Sequence, residues 1–253
     1  MYWQAVEQQT KIALKEEKLM PLVTESIEIT QNTIQFTVHL RQQTKVKKPH
    51  QSTQKSNPFL PHEPEMFVQN VGNSHKLLLN KFPVLTPHAL LCSNEFKAQQ
   101  SPLQLKDFAA WHLHLNTQQD VGFYNAGPTA GASQAHRHMQ LIKLTDETNL
   151  AAIAKQLCSQ TFVRFGQFDA EQRYELYQKA LAQFSLSPIQ AETGAYNLVL
   201  SNQLFWLIPR SSPQCEGIYA NGLNFCGHFL LRDRSQLTWL EKFGFISYLK
   251  AII

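Results

Sequence analysis

At the centre of the chain stands Gly127-Pro-Thr-Ala-Gly-Ala-Ser-Gln-Ala-His-Arg-His-Met-Gln140, in which a loop leads into a strand predicted over 136–144. In a strand, side chains two positions apart lie on the same face. We therefore expect His136, His138 and Gln140 to point in one direction, so that two imidazoles and an amide form a compact polar group.

These three side chains suit phosphate chemistry. An imidazole can attack phosphorus with one ring nitrogen when an acceptor, such as a backbone carbonyl, holds the proton of the other nitrogen. The amide of Gln140 can donate to a non-bridging oxygen as charge redistributes. In the preceding loop, Gly127 and Gly131 let the backbone approach a ligand closely, and exposed N–H groups can bind phosphates. The loop matches neither a P-loop nor a dinucleotide-binding fingerprint.

Metal binding is an alternative, because His-x-His on a strand is also a common ligand spacing. A third ligand could come from His62, His75 or His88. Gln140 disfavours this interpretation, since amides are poor zinc ligands. From these residues alone, a nucleotidyl-transferring enzyme and a non-catalytic nucleotide- or metal-binding protein both remain open.

The segments around this motif predict ten short strands and four helices. The predicted strands are 26–30, 33–40, 66–70, 75–80, 89–93, 121–125, 136–144, 196–200, 204–208 and 223–231. The predicted helices are 2–19, 102–116, 169–184 and 235–251, the second with Ser101 as N-cap and Pro102 at its first position. Because hairpins rather than regular strand–helix–strand units connect the strands, we expect an α+β fold with an antiparallel sheet and helices packed on it.

The composition is that of a folded globular protein. The chain has 253 residues, of which 43% are hydrophobic and 17% charged, and its net charge is +4. A nucleic-acid-binding protein usually has a larger basic excess, and no run of about eighteen apolar residues predicts a transmembrane helix. The N-terminus lacks the pattern of a signal peptide. We therefore expect a cytoplasmic protein that binds neither nucleic acid nor membrane.

Residues 41–65 show no hydrophobic periodicity and are rich in Gln, Lys, Ser and Pro. A loop of this length is usually either a functional loop or a flexible one. Its lysines suit a ligand with several negative charges, such as a polyphosphate. These lysines are Lys45, Lys47, Lys48 and Lys55.

Taken together, the motifs resemble a known family. Gly131-Ala-Ser-Gln-Ala-His-Arg-His-Met-Gln140 is similar to the signature of the diadenosine tetraphosphate phosphorylases, also called ATP adenylyltransferases, of the histidine-triad superfamily. Further segments resemble that family in the same order: Asn57-Pro-Phe-Leu-Pro61, Asn80-Lys-Phe-Pro-Val84, Phe123-Tyr-Asn-Ala-Gly-Pro128, Tyr196-Asn-Leu198, Ile208-Pro-Arg-Ser211 and Asn221-Gly-Leu-Asn-Phe-Cys-Gly227. One departure is Ala135, where the family usually has Pro.

The resemblance implies a two-step transfer of a nucleotidyl group. His138 would attack the α-phosphorus of diadenosine tetraphosphate and release ATP, and inorganic phosphate would then take the adenylyl group as ADP. Gln140 would hold the phosphoryl oxygens, and His136 would help to position the site. A diadenosine polyphosphate hydrolase or a hexose-1-phosphate uridylyltransferase on the same scaffold remains an alternative.

The resemblance also implies which residues bind the substrate. Asn125, Gly131, Ser133 and Gln134 would line the phosphate path, Asn80 and Lys81 would hold the nucleoside end, and Lys55 and Arg210 would meet the polyphosphate tail. The expected partners are small-molecule nucleotides and phosphate. No cofactor and no bound metal are required by the sequence, and Mg²⁺ carried by the nucleotide is left open, as is the oligomeric state. We expect an N-terminal catalytic part over 1–150 and a C-terminal part over 151–253, packed into one globular unit.

Overall fold

The structure is a computed structural model that describes residues 2–42, 57–144, 147–186 and 194–253. Within these ranges the helices are α1 (Tyr2–Lys15), α2 (Leu105–His112), α3 (Glu147–Gln156), α4 (Ala170–Gln183), α5 (Gly222–Phe225), α6 (Arg234–Phe243) and α7 (Phe245–Ala251). The strands are β1 (Thr24–Gln31), β2 (Ile34–Arg41), β3 (Phe67–Val71), β4 (His75–Leu79), β5 (His88–Ser93), β6 (Asp120–Ala126), β7 (His138–Lys143), β8 (Phe162–Phe165), β9 (Tyr196–Leu200), β10 (Leu204–Pro209), β11 (Gln214–Cys215), β12 (Ile218–Tyr219) and β13 (His228–Leu231).

A large antiparallel sheet forms the centre of the molecule, with the strand order β3-β4-β5-β7-β6-β9-β10-β8. The histidine-bearing strand β7 lies inside the sheet, between β5 and β6. Strands from both sides of residue 150 belong to this sheet, so hydrogen bonds between β6 and β9 cross the predicted boundary between the two parts. The predicted α+β class with an antiparallel sheet and packed helices is confirmed.

The two faces of the large sheet bury different hydrophobic cores. On one face, Met139 and Leu141 of β7 pack in a core with Trp3 of α1 and Trp111 of α2. On the other face, Ile142 packs in a second core with residues of α3, β2, β13, α6 and α7. The alternation along β7 follows from the two-residue period of a strand, and it leaves His138 and Gln140 on the side of the second core.

A smaller sheet covers that second core. Strands β1 and β2 form the predicted antiparallel hairpin, with Gln31 opposite Ile34. The third strand, β13, pairs with β2 in the parallel direction. This parallel pair departs from the expectation of antiparallel strands. It is possible because the connection between β2 and β13 is long and contains all the strands of the large sheet.

Helix α2 begins later than the sequence predicts. Its N-cap is Gln104 rather than Ser101, and the Asp107 carboxylate accepts a hydrogen bond from the Gln104 N–H at 2.7 Å. The buried guanidinium of Arg137 donates to the carbonyl oxygens of Ser101 and Pro102 at 2.9 and 2.8 Å. Because a distant arginine holds these two carbonyls, residues 101 and 102 stay outside the helix despite their favourable types.

The C-terminal predictions are wrong in detail. The strand expected over 223–231 divides into α5 and the shorter β13, because Asn221 caps a turn of helix by accepting from the Leu223 N–H. The helix expected over 235–251 is broken at Gly244, whose φ is 97°. Helix α3 and strand β8 form in a segment with no predicted element, although Leu150, Ile153 and Leu157 lie at helical spacing. Among the described residues, no helix combines the length and the apolar character needed to cross a bilayer.

Candidate active site

One cavity of about 280 Å³ opens between the end of β4, strands β5 and β7, and the loop before β7. Eight of the residues singled out from the sequence line it: Asn80, Lys81, Asn125, Gly131, Ser133, Gln134, His138 and Gln140. They come from four separate stretches of the chain (80–81, 125, 131–134 and 138–140), so the fold brings together residues that are distant in the sequence. Lys55 lies outside the described residues.

His138 is the first residue of β7 and is only 5% exposed. Its Nδ1 lies 2.9 Å from the carbonyl oxygen of His136. A carbonyl cannot donate, so Nδ1 carries the proton and Nε2 keeps its lone pair. Burial lowers the pKa of His138 to about 4, which keeps the imidazole neutral near pH 7. The predicted carbonyl acceptor for the second ring nitrogen is confirmed.

The backbone of His138 is held by Gln99. The Gln99 Oε1 accepts from the His138 N–H at 2.8 Å, and its Nε2 donates to the His138 carbonyl at 3.2 Å. The side-chain amide of Gln99 thus binds both the N–H and the carbonyl of His138, and it holds the start of β7 in place. Sequence reasoning missed Gln99, since no local pattern links it to a residue 39 positions away.

His136 does not share the cavity with His138 and Gln140. Strand β7 begins at residue 138, and His136 forms only an isolated bridge with Ala98. The His136 Nε2 donates to the carbonyl oxygen of Ser93 at 2.9 Å, and its Nδ1 accepts from the Asn57 amide at 2.8 Å. Of the three side chains expected to form one polar group, only those of His138 and Gln140 therefore line the cavity.

The position of His136 nevertheless shapes the cavity wall. Through Asn57 it holds a turn in which the Asn57 Oδ1 accepts from the Phe59 N–H at 3.0 Å. The Phe59 ring lies 5.5 Å from the His136 ring and 5.3 Å from the His138 ring, measured between centroids. Lys76, itself buried, donates to the Phe59 carbonyl at 2.8 Å. An anchored phenyl ring thus packs beside the imidazole of His138.

The loop before β7 closes largely on itself. The N–H groups of Ala130 and Ala132 both donate to the Gly127 carbonyl at 3.1 Å, and the Gly131 N–H donates to Pro128 at 2.9 Å. Within the described part of the chain, the N–H groups of Ser133 and Gln134 have no protein acceptor. The expected phosphate-binding donors are therefore these two groups and the Ser133 hydroxyl, rather than the N–H group of Gly131.

Arg210 does not line the cavity. Its guanidinium donates to the Asn197 Oδ1 at 2.6 Å and to the Ser212 carbonyl at 2.7 Å. The Asn197 amide in turn donates to the Asn125 Oδ1 at 2.8 Å. Because the Gly222 N–H also donates to that oxygen, at 2.9 Å, the NH₂ group of Asn125 is the one available to the cavity. Arg210 is thus separated from the cavity by the side-chain amides of Asn197 and Asn125. It is not placed for the expected direct contact with the polyphosphate tail.

Part of the cavity wall is formed by apolar side chains. Met66, Leu78 and the half-exposed Phe82 line it beside Asn80. Lys81 forms an ion pair with Glu63, which also lines the cavity. Sequence reasoning did not single out Glu63, because a lone glutamate in a long loop carries no signal of its own.

His88 is a further residue whose role the sequence does not reveal. The sequence suggests it only as a third metal ligand. Its Nε2 instead lies 2.9 Å from the Gln140 Oε1, and burial lowers the pKa of His88 to about 4. Over the residues that the structure describes, no group of three or more His, Cys, Asp or Glu side chains is placed to share a metal ion.

Comparison with known proteins places this geometry in a family. The family model described as "Ap4A phosphorylase N-terminal domain" matches residues 1–158, and the model described as "ATP adenylyltransferase C-terminal domain" matches residues 133–253. Diadenosine 5′,5‴-P1,P4-tetraphosphate phosphorylase 2 of Saccharomyces cerevisiae is 28% identical over 233 residues, covering 74% of this chain and 72% of that protein. Protein APA1 of the same yeast is 27% identical over 203 residues, covering 64% and 63%.

The fold agrees with solved structures of the same kind. The crystal structure of yeast Ap4A phosphorylase Apa2 matches with a TM-score of 0.80 and 22% identity, over 98% of this chain and 96% of that chain. The structure of Apa2 in complex with Ap4A matches with a TM-score of 0.78 and 25% identity, over the same shares. With both family models matched and the motif residues gathered around one cavity, the chain belongs to the Ap4A phosphorylase and ATP adenylyltransferase family of nucleotidyltransferases.

Proposed function

We propose that this protein cleaves diadenosine tetraphosphate by phosphorolysis, and that the adenylyl group is carried between the two half-reactions on Nε2 of His138. The observation that carries the proposal is the hydrogen bond from His138 Nδ1 to the carbonyl oxygen of His136 at 2.9 Å. It directs the lone pair of a neutral imidazole into a cavity whose other end suits a nucleoside.

In the first half-reaction, the Nε2 lone pair attacks the α-phosphorus of the substrate. A P–N bond forms while the P–O bond to the departing ATP breaks, and ATP leaves with the bonding electron pair. The Nδ1 proton stays on the ring throughout. The positive charge that develops on the imidazole is stabilised by the His136 carbonyl, which accepts that proton's hydrogen bond.

In the second half-reaction, an oxygen of inorganic phosphate attacks the same phosphorus. A P–O bond forms, the P–N bond breaks, and ADP leaves a neutral His138. The two steps together convert diadenosine tetraphosphate and phosphate to ATP and ADP. A covalent intermediate divides one difficult displacement into two that use the same binding groups.

Neutral donors stabilise the phosphoryl group in both steps. The available donors around His138 are the amides of Gln140 and Asn125 and the N–H groups of Ser133 and Gln134, all of them in residues that line the cavity. Such preorganised donors are most effective where charge develops in the transition state and water is excluded. They do not discriminate strongly between the negative charges of ATP, ADP and phosphate, which suits a site that binds all three.

The test is to weigh the intact protein after mixing it with diadenosine tetraphosphate in the absence of phosphate. We expect a mass increase of one adenylyl group, which disappears when phosphate is added, together with the formation of ADP. In His138→Ala, the mass increase should be absent and kcat should fall by about 10³-fold or more, as when a nucleophile is removed elsewhere. Parallel reactions with Mg²⁺ and with a chelator establish whether the metal accompanies the nucleotide.

His112→Ala is the matched control, because His112 is exposed on α2 and does not line the cavity. It should keep both the mass increase and the activity. Formation of AMP and ATP at a rate that does not depend on phosphate would instead identify a hydrolase. Full activity of His138→Ala would eliminate the histidine intermediate.

A further inference from the structure

We infer that His88 is a positioning residue for the proposed reaction, as the middle member of a one-way chain of hydrogen bonds that runs from the backbone N–H of Phe82 to the amide of Gln140. The inference concerns the site of the proposed function and rests on that function for its catalytic consequence. The chain itself is a property of the folded protein, and it consists of contacts between Phe82, Asn80, His88 and Gln140.

The direction of such a chain is normally ambiguous. A side-chain amide can be turned so that its oxygen and nitrogen exchange places, and a neutral imidazole can carry its proton on either nitrogen. A backbone N–H has no such freedom, because it can only donate. One backbone N–H at the end of a chain therefore sets the direction of every bond that follows.

In this protein the backbone donor is Phe82, whose N–H lies 3.2 Å from the Asn80 Oδ1. With its oxygen used, Asn80 turns its NH₂ group towards His88, at 3.3 Å from Nδ1. The Nδ1 must accept this bond, so the proton of the neutral ring resides on Nε2. That Nε2 then donates to the Gln140 Oε1 at 2.9 Å, and the NH₂ group of Gln140 is left for the cavity.

The surroundings of His88 favour one neutral tautomer. His88 is the first residue of β5, and it is 5% exposed. The centroid of its ring lies 5.9 Å from that of the Phe123 ring. Burial lowers its pKa, and the neighbouring His138 lowers it further. A protonated ring would need two acceptors, and the Asn80 amide presents a donor. The ring is thus buried, neutral and oriented.

The catalytic consequence concerns the polarity of Gln140. When its oxygen is bound to His88, its NH₂ group can donate to a phosphoryl oxygen. If the amide were reversed, an oxygen would face the negatively charged phosphoryl group, and a stabilising contact would become a repulsive one. The chain also starts at the nucleoside end of the cavity, so an ordered Asn80–Phe82 segment supports the donor at the phosphoryl end.

The first experiment measures the tautomer of His88 in the protein without ligand. Long-range ¹H–¹⁵N correlation spectra of protein labelled at its histidines distinguish Nε2–H from Nδ1–H, and the signals of His88 are those that disappear in His88→Phe. We expect Nε2–H with an accepting Nδ1. An Nδ1–H tautomer, or a protonated ring near pH 7, would overturn the inference whether or not the protein is a phosphorylase.

The second experiment is a double-mutant cycle with His88→Phe and Gln140→Leu, measured as ADP and ATP formation. We expect His88→Phe to lower kcat at least about ten-fold, towards the 10²–10³-fold loss that follows removal of one donor to a developing oxyanion, with little change in KM. In the Gln140→Leu background the same substitution should have no further effect on kcat, because His88 acts through Gln140.

His88→Gln supplies the conservative control, because its amide has both a donor and an acceptor and can recover part of the lost kcat. Thermal unfolding of each variant shows whether it is folded. Losses in kcat that multiply in the double variant would show that His88 acts on something other than Gln140, and would contradict the inference. If no variant and no wild-type protein forms ADP and ATP, the proposed function fails, while the tautomer measurement still decides the polarity of the chain.

Discussion

At the scale of single residues, the site depends on neutral imidazoles in buried positions. His138 and His88 are each about 5% exposed, and each directs one ring nitrogen at a fixed partner. Taking an imidazolium out of water is unfavourable, so burial favours the neutral ring in both. As the proposed nucleophile, His138 would need no general base, because its Nε2 carries no proton to remove.

This arrangement predicts the acid limb of the pH profile. Burial, the largest influence, lowers the pKa of His138 from the ordinary 6.5 to about 4. Protonation of Nε2 would remove the lone pair, so activity should be lost only as the pH falls towards 4. We expect kcat/KM for diadenosine tetraphosphate to stay nearly constant from about pH 8 to 5.5, since kcat/KM reports the free enzyme.

The rate of adenylyl transfer to the protein, measured without phosphate, should follow the same profile. This second readout separates His138 from the ionisation of the phosphate acceptor. An acid limb centred near pH 6.5 in both measurements would contradict the buried, neutral nucleophile. Enzyme returned to pH 7 after each incubation should regain its activity, which controls for acid unfolding.

At the scale of elements, the loop from 127 to 135 decides where the phosphate-binding donors lie. Its glycine at position 131 has a φ of 89°, and a Cβ there would lie 2.5 Å from both the Ala220 carbonyl oxygen and the Asn221 Cβ. The loop thus passes closer to the 220–221 segment than any side chain would allow. This close approach places the next residues, Ser133 and Gln134, on the cavity wall.

We therefore expect Gly131→Ala to displace the loop. The left-handed backbone conformation alone costs about 1 kcal/mol for alanine, and overlap with backbone atoms adds ~1–3 kcal/mol. Denaturant unfolding should show a free energy of unfolding lower by about 2 kcal/mol or more. The variant should also lose kcat/KM for diadenosine tetraphosphate, because the Ser133 and Gln134 donors move with the loop.

Gly217→Ala is a matched control for this prediction. Gly217 has a φ of 72°, but the nearest atom to an added Cβ is the Gln236 side-chain nitrogen at 3.8 Å. Gly217→Ala should lower the free energy of unfolding only by the backbone strain, about 1 kcal/mol, and it should leave kcat/KM unchanged. Equal losses of stability and activity in the two variants would show that the contact with residues 220 and 221 is unimportant.

A buried ionic network joins the motif strand to helix α2. Arg137, between the two motif histidines, donates to the Asp107 carboxylate at 2.8 Å, and His75 lies 2.9 Å from the other carboxylate oxygen. The Arg137 side chain points away from the cavity that His138 lines. Arg137 thus connects the motif to α2 on the side of the sheet away from the cavity, and its charge is paired with Asp107.

At the scale of the whole molecule, the site sits where the large sheet meets the second core. His88 and His138 belong to adjacent strands inside that sheet, and burial in the folded protein disfavours the protonated form of both. The unfolded chain gives each imidazole its ordinary pKa of 6.5, whereas the folded protein lowers each to about 4. Folding and protonation of these residues are therefore linked.

Linkage predicts how stability depends on pH. A histidine whose pKa is lower in the folded state contributes fully above its unfolded pKa of 6.5, and the contribution is lost as the pH falls towards 4. For each of the two imidazoles the total loss is about 3 kcal/mol, from about 2.5 pKa units. We expect Tm to fall steadily between about pH 6.5 and 4.5, measured by calorimetry in buffers of constant ionic strength.

The comparison variant is His88→Gln, which removes one of the two buried imidazoles while keeping hydrogen-bonding groups. Its Tm should fall less steeply with acidification than that of the wild-type protein, even if its Tm at pH 7 is lower. His112→Ala, which removes an exposed histidine, should keep the wild-type slope. A Tm that does not change over this range would show that these imidazoles are protonated in the folded state.

The sequence alone determined the features that depend on neighbours along the chain. Two-residue alternation predicted β7 and the hairpins β1–β2, β3–β4 and β9–β10, and the spacing of His138 and Gln140 placed them on one face. These predictions are confirmed because strand periodicity and turn chemistry act over a few residues. The phosphate-binding role inferred from the loop composition stays a prediction.

Only the tertiary structure decided which groups orient the site. The partner of Gln140 is His88, 52 residues away, and the oxygen of Asn125 is fixed through Asn197, 72 residues away, by Arg210. The His136 ring does not line the cavity, because Asn57 and Ser93 bind it. A hydrogen bond depends on a few tenths of an ångström and on which atom donates. Those quantities are fixed only when distant strands pack together, so the sequence supplied the reacting groups and the fold supplied their direction.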